Sequence, residues 1–374
     1  MKLLKRSFII AAALTLFVGA APVYSAAEKA AVPASAGTKA DSSYFETVDK
    51  AAVYVREQMT LRNTEVVVSL PDDTGLSGGT LLNTIVDLAC VETGKSNEGD
   101  YLRLSLKNHG GWISRSENTV TIGIKLGYFT NASQEAEVGR KISSALASLK
   151  VSDKSSYEKI KAVYEYVTAN VAYSHDLNKD VTFSAYGGLS GDGCVCQGYA
   201  QIIYRMLREL NVPVRIICGT GVGGGTHAWN IAEIDGKYYY LDATYDAGTQ
   251  SLNHKYFLKG KNDFDSFTAG KHTPSKGKAD LPNIEPDYTS DSFCSLYPIS
   301  DTAYVQPYMV GDIDGDGVVD SFDEIKLRSG IIYGFKKQVE HNAADINGDG
   351  AVKVNDLVML QSYLLRRSAG LRTE

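Results

Sequence analysis

The chain has 374 residues, 44% of them apolar and 22% charged, with a formal net charge of −6. That is the balance of a globular protein, with no basic surplus that would draw nucleic acid. Its five cysteines (Cys90, Cys194, Cys196, Cys218, Cys294) are an odd number and too scattered for a disulfide scaffold, and no Cys-x-x-Cys pair suggests zinc.

At the N-terminus Lys2, Lys5 and Arg6 precede an apolar run from Phe8 to Ala21, and small residues follow at Ser25, Ala26 and Ala27. Charged, apolar, then small is the order of a signal peptide, and the run is too short to span a bilayer. Residues 1–25 are therefore expected to be an export signal, and the mature chain to be secreted, with no membrane partner. Residues 26–41, rich in Ala, Ser, Pro and Lys without apolar periodicity, read as a linker.

A folded domain is expected over residues 42–288, opening with an α/β subdomain. Apolar spacing predicts helices over Phe45–Arg62 and Leu81–Cys90, and strands over Glu65–Leu70, Tyr101–Leu106 and Val120–Leu126. Two further helices fit Ala136–Leu149 and Ser156–Val171, the second with Ile160, Val163, Tyr164 and Val167 on one side.

The chemistry begins at Asp192-Gly-Cys-Val-Cys196-Gln-Gly-Tyr-Ala200. Ala200, Ile203, Leu207 and Leu210 follow Cys196 at helical spacing, so Cys196 opens a helix, where unpaired N–H groups and the dipole favour a thiolate. A nucleophilic thiol needs that position. Next come a strand, Val212–Ile217, and a glycine-rich loop, Gly219–Gly225, expected to be a mobile rim and not a phosphate loop. His227–Ile234 and Lys237–Ala243 alternate as two strands joined by Asp235-Gly236, a favoured two-residue hairpin turn. That turn pairs Ile234 with Lys237, and counting outward sets Trp229 opposite Asp242. His227 and Asp242 then share a face as diagonal neighbours, about 7–8 Å apart at the backbone and within side-chain reach. Alone, a Cys is more often a small buried apolar residue. A Cys on a helix start facing a His–Asp hairpin is the nucleophile, base and orienter of a triad. Gln197 and Tyr173 are the candidate side-chain donors for an oxyanion. His109, His175, His254, His272 and His341 have no partner at a telling spacing.

This segment resembles the transglutaminase-like superfamily, with its papain-type core, most strongly over residues 156–260. The Gly-x-Cys-x-Gly-Tyr-Ala helix start stands here as Cys194-Val195-Cys196-Gln197-Gly198-Tyr199-Ala200, with Cys in place of the first Gly. The His-Ala-Trp-Asn strand is His227 to Asn230, and the Asp-x-Thr strand is Asp242-Ala243-Thr244. The resemblance implies Cys196 as nucleophile, His227 as base and later acid, and Asp242 as orienter. Cys194 departs from the pattern and suggests that the two thiols interact, or that Cys194 resolves an oxidised Cys196. Cys90, Cys218 and Cys294 read as structural.

Residues 289–308, rich in Ser, Asp, Tyr and Pro, read as a second linker. Beyond it one acidic loop occurs twice, from Asp312, Asp314, Asp316 and Gly317 to Asp323, and from Asp345, Asn347, Asp349 and Gly350 to Asp356. Oxygen ligands at loop positions 1, 3, 5 and 12, with Gly at 6, are what Ca²⁺ requires. Position 7 (Val318, Ala351) supplies a backbone carbonyl, and position 9 (Asp320) accepts from a metal-bound water. Lys353 at the second position 9 cannot, so the second site should be the weaker. The tandem loops resemble a dockerin, expected over residues 309–374, the module that plugs enzymes into cohesins on a cellulosome scaffold. The resemblance implies two calcium ions and cohesin contacts at loop positions 10 and 11. These are Ser321 and Phe322 in the first copy, Val354 and Asn355 in the second; the mismatch suggests one binding orientation.

The fold class expected is α+β, a helix bearing Cys packed on an antiparallel sheet bearing His and Asp, followed by a small all-α calcium-binding module. The function implied is a secreted, cellulosome-associated cysteine enzyme that hydrolyses or transfers amide acyl groups of protein or peptide substrates without a cofactor. Hydrolysis is the preferred outcome, because superfamily members outside animals are often proteolytic. The alternative is a catalytically silent binding module tethered to the scaffold. A glycoside hydrolase finds no supporting carboxylate pair.

Overall fold

The structure, a computed structural model, describes residues 43–365 and 371, apart from residues 74, 248–253, 269 and 278–285. The expected signal peptide and first linker lie outside the described residues. The chain divides into two compact units, one ending at Ala303 and one beginning at Tyr304.

The first unit opens with β1 (Ser43–Tyr44), α1 (Val48–Thr60), β2 (Glu65–Pro71), α2 (Gly78–Ala89), α3 (Gly99–Ser105), β3 (Leu106–Ser116) and β4 (Thr119–Tyr128). The strands form one sheet in the order β1-β2-β4-β3, antiparallel except for β1 beside β2. Alternation on β2 and β4 turns Val66, Val68, Val120, Ile122 and Ile124 into the core, and α1 and α2 cover them with Ala51, Val55, Met59, Leu81 and Ile85. The segment expected as a strand over Tyr101–Leu106 is instead the helix α3. Its apolar and polar residues are buried alike, so the alternation carried no facial information. Gly99, with φ +60°, turns the chain into this helix, and the Glu92 carboxylate accepts from the Asp100 N–H at 2.8 Å.

The second half of this unit holds α4 (Ala132–Leu149), α5 (Ser156–Asn170), α6 (Ala185–Ser190), α7 (Cys196–Glu209), β5 (Val214–Thr220), β6 (Thr226–Ile234), β7 (Lys237–Leu241), α8 (Ala243–Asp246), β8 (Thr273–Pro274) and α9 (Asp291–Leu296). Capping boxes at Asn131/Gln134 and Ser155/Glu158 start α4 and α5. The second sheet is antiparallel, in the order β7-β6-β5-β8. Helix α7 packs on it through a nearly continuous buried face that includes Tyr199, Ile203 and Leu207. A buried bidentate pair, Arg215 of β5 with Asp100 of α3 at 2.7 and 2.9 Å, joins the two halves.

The linker expected at residues 289–308 is corrected over its first part. Residues 291–296 are helical, the Tyr238 N–H donates to the Pro298 carbonyl, and the Ser300 N–H donates to the Tyr238 carbonyl, both at 2.9 Å. Exposed polar composition concealed a segment held by backbone pairing.

The second unit contains α10 (Ser321–Tyr333), α11 (Gln338–Ala344) and α12 (Val354–Leu364) around a small core of Ile313, Leu327, Ala343, Ala344 and Leu360. Among the described residues of this unit no helix precedes the first acidic loop, whereas α11 precedes the second. Among the described residues no helix is long and apolar enough to cross a membrane.

Candidate active site

Cys196 is the first residue of α7 and is half-buried. Two side chains of the surrounding motifs fix this helix. The Asn230 amide on β6 donates to the carbonyls of Ala200 (3.1 Å) and Arg215 (3.3 Å), clamping α7 against the sheet. The Tyr199 hydroxyl donates to the Val171 carbonyl at 2.6 Å, tying α7 to the end of α5.

The hairpin has the register read from Asp235-Gly236: Ile234 pairs with Lys237 and Asn230 with Leu241. Expected to continue to Ala243, the second strand ends at Leu241, because Asp242 turns out of the ladder and caps α8. Its Oδ1 accepts from the N–H groups of Thr244 (2.9 Å) and Tyr245 (3.4 Å). Its Oδ2 lies 2.7 Å from His227 Nε2. One carboxylate thus starts a helix and orients an imidazole. With Nε2 turned to Asp242, the other ring nitrogen is left for Cys196, which is close enough to His227 to raise its pKa.

The electrostatics follow from burial and pairing. Burial alone would lower the pKa of His227, but the charge and hydrogen bond of Asp242, with Cys196 adding to them, raise it to about 10. Burial pushes the Asp242 carboxyl up, yet the charges and hydrogen bonds of His227 and His272 hold it well below the usual carboxylate range. At neutral pH His227 is therefore an imidazolium, set between the Asp242 carboxylate and Cys196.

Tyr245 stacks on His227 with ring centroids 4.7 Å apart, and its hydroxyl accepts from the Val222 N–H at 3.1 Å. This contact explains Gly221: a Cβ there would stand 2.5 Å from the Tyr245 hydroxyl and 3.0 Å from His227. Of the glycine stretch, expected as a mobile rim, the first two residues lie in the sheet and Gly221–Gly225 form the turn beside His227. Gly219 and Thr220 end β5, and the Gly221 N–H donates to the Gly225 carbonyl at 2.9 Å, closing the β5–β6 turn. Trp229 is buried beside the ring of His227, with centroids 5.9 Å apart.

In the second unit, each acidic loop is organised by its first and last carboxylates. Asp312 accepts from the N–H groups of Gly315, Asp316 and Gly317, and Asp323, fully buried, from those of Ile313, Asp314 and Asp320. Asp345 and Asp356 repeat the pattern with Gly348, Asp349 and Gly350, and with Asn347 and Lys353. Gly317 and Gly350 take φ +89° and +82°, which turns each loop back. Asp312, Asp314 and Asp323 each bring a carboxylate oxygen within 4.8 Å of the others. Desolvation and the crowding of Asp323, Asp316 and Asp312 raise the Asp314 pKa. Gathered carboxylates of this kind fit a hard divalent cation such as Ca²⁺. In the second loop the Lys353 ammonium lies 3.6 Å from Asp349, where it would compete with an ion for that ligand. Phe322 and Val354 are 65% and 61% exposed, and Ser321 and Asn355 are exposed beside them, at the starts of α10 and α12. Asp320 caps α10, accepting from the Phe322 N–H at 2.7 Å.

Residues 144–243 match the family model of the transglutaminase-like superfamily, and residues 310–365 that of the dockerin type I domain. The chain carries a transglutaminase-like core and a type I dockerin. A multidomain esterase from Ruminococcus flavefaciens is 46% identical over 55 residues, which are 15% of this chain and 7% of the esterase. The chain thus spans only a small part of that relative's length. Among solved structures, a chain of a cohesin–dockerin complex from Acetivibrio cellulolyticus is 29% identical, with a TM-score of 0.17, covering 17% of this chain and 93% of that one. A TGase is 14% identical, with a TM-score of 0.29, covering 63% of this chain and 70% of that one.

Around the transglutaminase-like core three expectations need correcting. Gln197 is not free to stabilise an oxyanion, because its amide donates to the carbonyls of Leu104 (2.8 Å) and Phe183 (2.7 Å). Tyr173, half-exposed and close enough to Cys196 to feel its charge, remains the candidate. Cys194 is fully buried, in room left by Gly188 and Gly198, whose Cβ atoms would meet its sulfur at 2.8 and 2.6 Å. Burial pushes its thiol far above the ordinary range, which disfavours a resolving role. Cys294, read as structural, is exposed, whereas Cys90 and Cys218 are buried; all five cysteines are unbridged.

One histidine was missed. His272 Nε2 lies 3.0 Å from the same Asp242 oxygen that faces His227. It arrives because β8 pairs Pro274 with Gly219, the residue that pairs with His227 on its other side. No local spacing joins residue 272 to residue 242.

Proposed function

We propose that the protein is a cysteine acyl-transfer enzyme acting on amide bonds of protein or peptide substrates, exported and docked to a cohesin on a cellulosome-type scaffold. The observation that carries the catalytic part is the pairing of His227 Nε2 with Asp242 Oδ2 at 2.7 Å beside a helix-start cysteine. His227 takes the thiol proton, and the Cys196 thiolate adds to the amide carbonyl. The oxyanion is met by the Cys196 N–H at the helix start, with the Tyr173 hydroxyl as the side-chain donor. Collapse of the adduct breaks the C–N bond while His227 returns its proton to the departing amine, leaving a thioester. Water or a second amine then attacks, giving its proton to His227, and Cys196 leaves as the thiolate.

The dockerin would hold two calcium ions. Asp312, Asp314, Asp316, Asp320, Asp323 and the Val318 carbonyl would serve the first site. Asp345, Asn347, Asp349, Asp356 and the Ala351 carbonyl would serve the second. Bound calcium would supply folding energy that sets the cohesin-facing residues Ser321, Phe322, Val354 and Asn355 on their helices.

The test uses a protein digest as substrate, with a fluorescent primary amine present. New carboxyl termini report hydrolysis, incorporated fluorophore reports transfer, and both are expected to vanish in Cys196→Ala. Full turnover in that variant would overturn the assignment.

A further inference from the structure

The carboxylate of Asp242 receives two imidazoles on one oxygen. Oδ1 is occupied by the backbone N–H groups of α8, so His227 Nε2 at 2.7 Å and His272 Nε2 at 3.0 Å share Oδ2. The other nitrogen of His272 faces a second carboxylate, with Nδ1 2.6 Å from Asp265 Oδ1. Asp265 also accepts the His272 backbone N–H through Oδ2, at 2.9 Å, so ring and backbone are gripped together.

Carboxylates can only accept. Both nitrogens of His272 thus face acceptors, which holds the ring from two sides. Packing holds it as well: the His272 side chain is 2% exposed, stacks on Phe264 with centroids 4.2 Å apart, and has Trp229 edge-on at 5.0 Å. The titratable groups facing it are Asp242, Asp265 and His227, together with Tyr245 and Tyr256 at 5.4 and 5.9 Å. A histidine that merely filled space would need neither the second carboxylate nor the shared oxygen.

We propose that His272, held by Asp265, is a positioning residue that fixes the Asp242 carboxylate toward His227, extending the triad to a chain of five groups: Cys196, His227, Asp242, His272 and Asp265. This rests on the reading of Cys196, His227 and Asp242 as the catalytic triad. His272 touches no reacting atom; it acts by fixing the rotation of the carboxylate that orients the base. Loss of one charge-assisted hydrogen bond at that point should slow formation of the reactive thiolate roughly tenfold.

The test has two arms on the full chain. In ¹⁵N-histidine-labelled wild type, His272 is expected to show a hydrogen-bonded Nε2–H donated to Asp242; an unprotonated Nε2 would overturn the proposal. Iodoacetamide alkylation of Cys196 is then timed in wild type, His227→Ala, His272→Ala and His272→Gln. The expected result is an approximately tenfold loss in His272→Ala and recovery to within about threefold in His272→Gln, whose amide still donates to Asp242. A folded His272→Ala alkylating as fast as wild type, or a His272→Gln as slow as His272→Ala, would overturn it. If His272→Ala does not fold, Asp265→Asn replaces it, with loss of rate expected and an unchanged rate refuting. Wild-type alkylation indifferent to His227 removes the triad reading and this proposal together. Alkylation that depends on His227 but not on His272 removes this proposal alone.

Discussion

Replacing Asp242 by Asn tests the electrostatics of the site without removing its shape. Asn caps helices as well as Asp, so the substituted oxygen should keep the Thr244 and Tyr245 N–H groups and leave α8 in place. The amide nitrogen is then turned toward His227 and His272. His227 must offer Nε2 as an acceptor, which moves its own proton to the nitrogen facing Cys196. With Asp242 ionised the His227 pKa is about 10; without that charge its largest upward cause is gone, and burial draws it back toward the ordinary 6.5. At pH 7.5 the imidazolium-to-imidazole ratio is about 300:1 at the first value and about 1:10 at the second. The charged fraction drops by up to about tenfold, and the wrong tautomer acts in the same direction. The assay is the iodoacetamide rate of Cys196 at pH 7.5, with circular dichroism to confirm the fold. A folded Asp242→Asn alkylating within twofold of wild type would refute the reasoning.

Arg215→Met strips a buried carboxylate of its partner: Asp100 is left with the Ile216 N–H at 2.8 Å, and Glu92 loses a cation 3.5 Å away. Urea unfolding should show a loss of about 3–5 kcal/mol, and a loss under about 1 kcal/mol would mean the pair does not join the two halves. Cys194→Ala should leave Cys196 alkylation within twofold of wild type, and mild peroxide should give no Cys194–Cys196 disulfide by mass spectrometry; finding that disulfide would restore the resolving role. Chelation should remove helical signal from the dockerin and abolish cohesin binding, with Lys353→Asp raising calcium affinity at the second loop. Binding that survives chelator would contradict the calcium-dependent docking.

Much of the core was legible because its signals are local. The Asp235-Gly236 turn fixed the register that brings His227 and Asp242 to one end of the hairpin, and helical spacing after Cys196 set the start of α7. The same holds for the acidic loops, whose first and last carboxylates and turn glycines fall within twelve consecutive positions. What escaped was held by distant contacts. Helix α3 was mistaken for a strand because Tyr101, Leu102 and Arg103 are all buried, so no period marked a face. Gln197 looked available until Leu104 and Phe183 claimed its amide. His272 reaches Asp242 only through a two-residue strand on the far side of β5, a pairing too short to carry a pattern.

The most direct test of the account is the alkylation rate of Cys196, resolved from the other four cysteines by mass spectrometry, between pH 4 and 9 in wild type and His227→Ala. The account predicts fast alkylation below about pH 6 that disappears without His227, the behaviour of a thiolate–imidazolium pair. A rate that rises only near pH 8.5, equal in both proteins, would contradict it and leave a silent thiol in a binding groove.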